Sequence, residues 1–119
     1  MQENNAVLEK SMGFAIRIVK LYKYLCEEKR EFILSKQLLR SGTSVGANVR
    51  EALQGQSKAD FTAKMSISLK EICETEYWLE LLYKTEHLTS DQYDSIGKDC
   101  SELAKLLTAI VKSSRGNRP

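Results

Sequence analysis

Apolar residues along this chain recur at the three- and four-residue steps that gather side chains on one face of an α-helix. From about Asn5 to Lys29 one seam runs Leu8, Met12, Ala15, Val19, Tyr22 and Cys26, and a second, one residue out of phase, runs Val7, Phe14, Ile18, Leu21 and Leu25. Adjacent residues lie about 100° apart around a helix axis, so the two seams together make an apolar arc wider than one core contact needs. The pattern predicts a helix over 5–29 that faces its own bundle on one side and another subunit on the other. Phe14, Ile18, Leu21 and Leu25 are the expected subunit interface. The polar stripe left over holds Lys10, Arg17, Lys20 and Glu27.

After the charged turn Glu28-Lys29-Arg30-Glu31, Ser35 is placed to cap a second helix over 35–55. In it Leu38, Gly42, Val45, Val49 and Leu53 keep the helical rhythm, while Ser41, Gly42, Ser44, Gly46 and Ala47 strip volume from the surface. A glycine inside a helix costs roughly 1 kcal/mol relative to alanine. Two of them call for a reason, and the close approach of a neighbouring backbone supplies one, because interaxial distance depends on the side chains at the contact. A ligand cradle is the competing reason, but the lysine and hydroxyl of a phosphate loop are missing.

Gly55 suits a helix end, and Ser57 can cap a third helix over 58–86 with the seam Phe61, Met65, Leu69, Ile72, Leu79 and Tyr83. Glu76 falls where this seam expects an apolar residue, which implies either a half-buried ion pair or a side chain snorkelling to water. Thr89 and Gln92 have the spacing of a capping box for a fourth helix over 90–113, along Tyr93, Ile96, Cys100, Leu103, Leu107 and Ile110. Residues 114–119 read as a short basic tail. Four long helices with short links predict an all-α, antiparallel up-and-down four-helix bundle, with 1–119 as a single domain.

Composition agrees with this fold. The one proline is Pro119, so nothing inside the chain forbids long helices. A formal charge of +2 conceals an asymmetry: residues 1–70 hold 12 Lys/Arg against 7 Asp/Glu, and residues 71–119 hold 6 against 9. Sided electrostatics follow. The start, Met-Gln-Glu-Asn-Asn, lacks the basic and apolar regions of a leader, and no apolar run reaches the length of a membrane span, so the expected location is cytoplasmic. Cys26, Cys73 and Cys100 are odd in number and set among apolar residues, which points to buried thiols rather than a disulfide framework or metal site.

Catalytic chemistry is sparse. His87, the single histidine, sits at the expected end of helix three, where a charge interaction with the helix dipole explains it better than metal binding. Di-iron bundles need Glu-x-x-His on two helices, and this chain does not spell one. Glu71, Glu74 and Glu76 cluster on helix three without a base or pocket-forming loop, and no nucleophile elbow surrounds any serine. A non-enzymatic protein with no cofactor and no metal is expected.

The run RSGTSVGANVREA from Arg40 to Ala52 resembles the arginine, small-small, Ser-Ile/Val, Ala-Asn-Ile/Val, Glu signature of the four-helix-bundle proteins named for reading frames in bacterial 23S ribosomal RNA intervening sequences. ETEYWLELL, from Glu74 to Leu82, is similar to that family's Glu-x-Glu-Tyr-Trp-Leu segment. The likeness extends from helix one to helix four, and to the accessory variability protein of diversity-generating retroelements, a basic bundle that binds nucleic acid and works with a reverse transcriptase. Such a resemblance implies a homopentamer, nucleic acid as a possible ligand and a reverse transcriptase as a possible protein partner.

Two groups of residues become candidates. Arg17, Lys20, Lys23, Lys36, Arg40 and Arg50, with the tail arginines, are the expected contacts to RNA or DNA phosphates. Arg40, Gly42, Ser44, Gly46, Asn48, Glu51, Glu74 and Glu76 form the expected structural motif, in which a polar network from helix two to Glu74 or Glu76 fixes register. Direct nucleic-acid contact and a solvated face are the other readings of those polar residues. The functional expectation is a homo-oligomeric assembly or adaptor protein that touches nucleic acid weakly, the alternative being a pure protein-interaction scaffold.

Overall fold

The computed structural model describes residues 2–116, with side chains from Asn4 onward. Four helices, α1 (Gln2–Glu27), α2 (Leu34–Leu53), α3 (Lys58–Lys84) and α4 (Ser90–Gly116), account for nearly all of it. Each helix packs on the next in sequence and α4 returns to α1, the sparsest contact of the four. Short links between sequential neighbours make this an antiparallel up-and-down bundle, 50 Å long and 21 Å across.

The helix starts show how local chemistry sets the boundaries. Ser57 accepts from Asp60 N–H at 3.1 Å and caps α3. The Thr89–Gln92 box closes as expected, with Gln92 N–H on Thr89 Oγ1 at 3.1 Å and Thr89 N–H on Gln92 Oε1 at 2.9 Å. Ser35 does not cap α2: it lies buried inside the first turn and donates its hydroxyl to Glu31 C=O at 2.7 Å. The Glu31 carboxylate does the capping, accepting from the N–H groups of Ile33, Leu34 and Ser35 at 3.2, 3.0 and 2.7 Å. A left-handed Arg30 (φ 54°) turns the chain back so that it can.

Burial raises the Glu31 pKa, but the three backbone donors, with His87 nearby, outweigh it and leave the group below its ordinary 4.5. A carboxyl whose folded pKa is lowered stabilises fully above its unfolded pKa, and that stabilisation is lost as pH falls through the folded one. Urea denaturation from neutral pH down to about 3 therefore shows stability falling on acidification, with a shallower fall in Glu31→Gln. An identical acid slope in parent and variant would place the sensitivity on other carboxyls.

The core holds Val7, Phe14, Ile18 and Leu25 of α1, Leu38, Val45 and Val49 of α2, Met65, Ile72, Leu79 and Leu82 of α3, and Ile96, Cys100, Leu103 and Leu107 of α4. This corrects the expectation for α1. Phe14, Ile18 and Leu25 are buried within the protomer and Leu21 packs half-buried against them, so this seam is not a free subunit interface. It turns inward because Ile18 seats its branched side chain over Gly42. The other seam lies at the margin: Leu8, Ala15, Val19, Tyr22 and Cys26 are half-buried, while Met12 is 46% exposed and its neighbour Ile16 49%.

Glu76 is likewise exposed, and the α3 seam runs through Ser68 and Thr75 instead. Both hydroxyls are buried and satisfied: Ser68 donates to Val45 C=O at 2.8 Å and Thr75 to Ser41 Oγ at 2.8 Å. Compact hydroxyl side chains thus stand between α2 and α3 at no cost in unpaired polar groups. At the far end α4 continues to Gly116, into the stretch expected as a tail. A hydroxyl contact between Thr62 and Ser114, and Arg115 donating to Ser66 Oγ at 3.0 Å, tie its last turn to α3. Residues 117–119 lie outside the described residues.

Candidate functional site

The most connected polar cluster on the surface spans α2 and α3. Arg40 donates through Nη1 to Glu71 Oε1 at 3.3 Å and through Nη2 to Glu74, whose carboxylate also accepts Trp78 Nε1–H at 2.9 Å. Glu71, Glu74 and Trp78 follow at steps of three and four, which puts them on one face of α3 within reach of one guanidinium. The Trp78 indole first, and Arg40 second, hold the Glu74 carboxyl below its ordinary range against the opposing effect of burial. Arg40 is half exposed, so the cluster fixes the register of α2 on α3 more than it adds stability.

Other motif residues serve elsewhere. Glu51 pairs with Lys64 at 2.8 Å, a second bridge between α2 and α3. Ser44 donates to Arg40 C=O at 2.7 Å and Asn48 to Ser44 C=O at 2.9 Å, so both bond within their own helix. Glu76 takes no part in the network. Trp78, Glu71 and Lys64 are the members that the expected motif lacked; Glu71 stood in the carboxylate cluster and Trp78 in the family-like segment, and nothing in the sequence singled out Lys64.

The two glycines are unequal. A Cβ at Gly42 would stand 2.8 Å from Ile18 Cγ1 and 2.9 Å from Cγ2, a separation real Cβ atoms do not tolerate. At Gly46 it would meet Ser11 O at 3.4 Å, an ordinary contact. Close packing of α1 on α2 therefore requires glycine at the first position only.

Of the six candidate phosphate contacts, two are already engaged. Arg17 bridges α1 to α4 through Asp99 Oδ2 at 2.6 Å and Ser95 Oγ at 2.9 Å, and Arg40 sits in the cluster above. Lys20, Lys23, Lys36 and Arg50 are exposed and make no ion pair among the described residues. Lys20, Lys23 and Lys36 lie toward the α1–α2 link, whereas Arg50 is in the last turn of α2, at the other end.

An open furrow of about 400 Å³ runs between α1 and α2, lined by Leu8, Met12, Ala15, Thr43, Gly46 and Ala47 among others. Its floor is apolar and small, and Arg50, Glu51 and Gln54 line it as well, with Glu51 already paired to Lys64. Among the described residues no group of His, Cys, Asp and Glu is placed to hold a metal ion. His87 lies in the α3–α4 link, its Nδ1 2.9 Å from Thr85 Oγ1. Cys100 is buried and its thiol is pushed up by burial, Cys26 is half-buried, and Cys73 is exposed, contrary to the expectation of three buried thiols. No helix is long and apolar enough to cross a membrane among the described residues.

Fold and surface together define a small all-α bundle whose specialised features are inter-helix ion pairs and exposed apolar side chains. The chain belongs to the 23S rRNA-intervening sequence protein family, whose pattern it matches over residues 3–109. It is also similar to a solved protein of unknown function from the S23 ribosomal protein family of Bacteroides thetaiotaomicron. The two share 59% identity over 92% of this chain and 98% of the other, with a TM-score of 0.91. None of the curated proteins matches the chain.

Proposed function

We propose that this chain is a non-enzymatic assembly or adaptor protein that self-associates, as the pentamer its family resemblance implies, and touches RNA or DNA phosphates weakly through its surface cations. The observation that carries the reading is the outward display of Met12, Ile16, Phe32, Ile33, Ile67 and Tyr77, all large, apolar and exposed on a bundle only 21 Å across. Apolar side chains in such number on a small surface mark a contact with another protein surface. Their spread over α1, the first link and α3 suits subunits that each use two faces, as closed rings do.

Nucleic-acid contact rests on Lys20, Lys23, Lys36 and Arg50, exposed cations of α1 and α2 that make no ion pair among the described residues. A net charge of +2 makes one subunit a poor ligand for phosphate at physiological salt, and a ring multiplies the contacts. A protein partner such as a reverse transcriptase would extend the same surface. The engagement of Arg17 and Arg40 by carboxylates favours the rival reading, a pure protein-interaction scaffold in which cations only solvate the surface.

Light scattering at micromolar concentration gives a mass several times the 13.5 kDa protomer. In filter binding the parent retains single-stranded RNA at about 50 mM salt and loses it near 200 mM, as counterion release requires. Lys36→Glu/Arg50→Glu weakens that binding with the mass unchanged. No retention by the parent at low salt leaves the scaffold, and a 13.5 kDa species removes both readings.

A further inference from the structure

The furrow between α1 and α2 is the middle of a longer surface that runs along both helices. Gly46 lies against Ser11, and Cys26 Sγ stands 3.8 Å from Ser35 Oγ, so the antiparallel pair has a register that brings Met12 opposite Ala47 and Lys23 opposite Lys36. On α2 the positions flanking α1 are Lys36, Thr43, Ala47, Arg50 and Gln54, which follow at helical steps of three, four and seven and so share one stripe. The facing stripe on α1 is Met12, Ile16, Val19 and Lys23.

Cations mark both ends of this surface and apolar side chains its length. Lys23 and Lys36 stand toward the α1–α2 link, and Arg50 stands at the other end, about 21 Å of helical rise from Lys36. All three are exposed and make no ion pair among the described residues. Between them Met12 and Ile16 reach water beside the apolar floor of Leu8 and Ala15. Glu51, the acid in the furrow's lining, is held by Lys64 at 2.8 Å. Glu9 and Glu27 lie further round α1, on the side away from α2 and outside that lining. The surface therefore offers positive charge at both ends and no free carboxylate of its own to answer it.

We infer that this surface docks an acidic amphipathic α-helix of a different protein, laid along the furrow against α1 and α2. Lys36 and Arg50 are two heptads apart, so carboxylates at the same spacing on an incoming helix share one face and reach both cations together. Apolar residues at three- and four-residue steps between those carboxylates cover Met12 and Ile16, which is the helix-in-groove mode of recognition. A nucleic-acid strand answers the cations but leaves the apolar length between them wet. A second copy of this chain fits less well. The outward stripe of α4 carries Lys98, Lys105 and Lys112, and that of α3 sets Lys70 beside Ile67 and Tyr77, so either would bring cation to cation. The inference rests on the adaptor part of the reading above and not on self-association, for which Phe32, Ile33, Ile67 and Tyr77 remain free.

The test is fluorescence anisotropy on the full chain with labelled peptides of about three heptads. One has leucine at positions a and d and glutamate at the flanking positions, a second has lysine for every glutamate, and a third is a scrambled form of the first. The glutamate peptide binds the parent about tenfold or more tighter than either of the others. Met12→Glu/Ile16→Glu and Lys23→Glu/Lys36→Glu/Arg50→Glu, all at exposed positions, keep the parent's helicity by circular dichroism, and each weakens that binding about tenfold or more. The charge-reversed chain prefers the lysine peptide instead. Ile67→Glu/Tyr77→Glu, on α3, binds the glutamate peptide as the parent does. Equal binding of all three peptides, or a glutamate peptide held as well by both furrow variants as by the parent, overturns the inference. So does single-stranded RNA bound by a parent that ignores the peptide, which leaves the cations to phosphate. Sedimentation velocity supplies the last control: a parent assembly that Met12→Glu/Ile16→Glu breaks up shows a second copy on the furrow and overturns the inference too. A monomeric parent that binds the glutamate peptide upholds it while the self-association reading fails.

Discussion

Gly42→Leu destabilises the bundle by about 3 kcal/mol or more, and Gly42→Ala by about 1–2, whereas Gly46→Ala is neutral or stabilising by up to about 1. The difference lies in what each new side chain meets. At Gly42 the first added carbon would stand 2.8 Å from Ile18, a fully buried residue. Its two γ-carbons branch at Cβ, so it has little freedom to swing aside. Overpacking of this kind costs about 1–3 kcal/mol for small additions and exceeds the gain of about 1 kcal/mol in helix propensity. At Gly46 the nearest atom lies at 3.4 Å and the propensity gain is kept. Urea denaturation of the three variants checks the order. Adding Ile18→Ala to Gly42→Ala then costs less than Ile18→Ala does alone, because removing both γ-carbons relieves the contact. Equal effects at both glycines would mean that Ile18 relaxes freely and that the seam over Gly42 is not tight.

Helix positions and the caps of α3 and α4 were legible because each depends on residues close in sequence. Ser57 and the Thr89–Gln92 box act within one turn, and the seam of α4 from Ile96 through Leu107 is an unbroken row of core residues. Choices that depend on what lies across a helix interface were not legible. Both seams of α1 are apolar, and only the fit of Ile18 to Gly42 decides which turns inward. On α3 the buried row passes through Ser68 and Thr75, which look polar in sequence but find partners on α2. A reading by hydrophobicity therefore prefers Leu69 and stumbles on Glu76. The candidate site followed the same division. Arg40 and Glu74 were visible as members of one network, but Arg17 read as a free cation because nothing on α1 announces Asp99 more than 80 residues away. Glu31, four residues before Ser35, took over a cap for which a serine looked better suited, because a carboxylate can accept three N–H donors at once.

Lysine at position 18 unfolds the protein, and lysine at position 16, two residues away, does not. Ile18 is fully buried and Ile16 is 49% exposed. Ile18→Lys forfeits about 1.5–3 kcal/mol of apolar burial and sets an ammonium among Gly42 and the core, with no carboxylate to pair it. An unpaired buried charge costs several kcal/mol more, so the sum approaches the whole stability of a small domain, about 5–15 kcal/mol. Phe14→Lys behaves the same way. Ile16→Lys leaves the protomer's unfolding midpoint within about 0.5 kcal/mol of the parent, because its side chain already reaches water. Its effect falls on association alone. Far-UV circular dichroism and urea denaturation separate the two outcomes, and pH supplies a further check. A buried lysine titrates below its ordinary range, so any residual fold of Ile18→Lys strengthens as pH rises and the amine becomes neutral, while Ile16→Lys shows no such trend. If Ile18→Lys kept the parent's helicity and midpoint and lost only its partners, the Phe14–Ile18 seam would lie at the subunit joint and the Met12–Ile16 seam in the core.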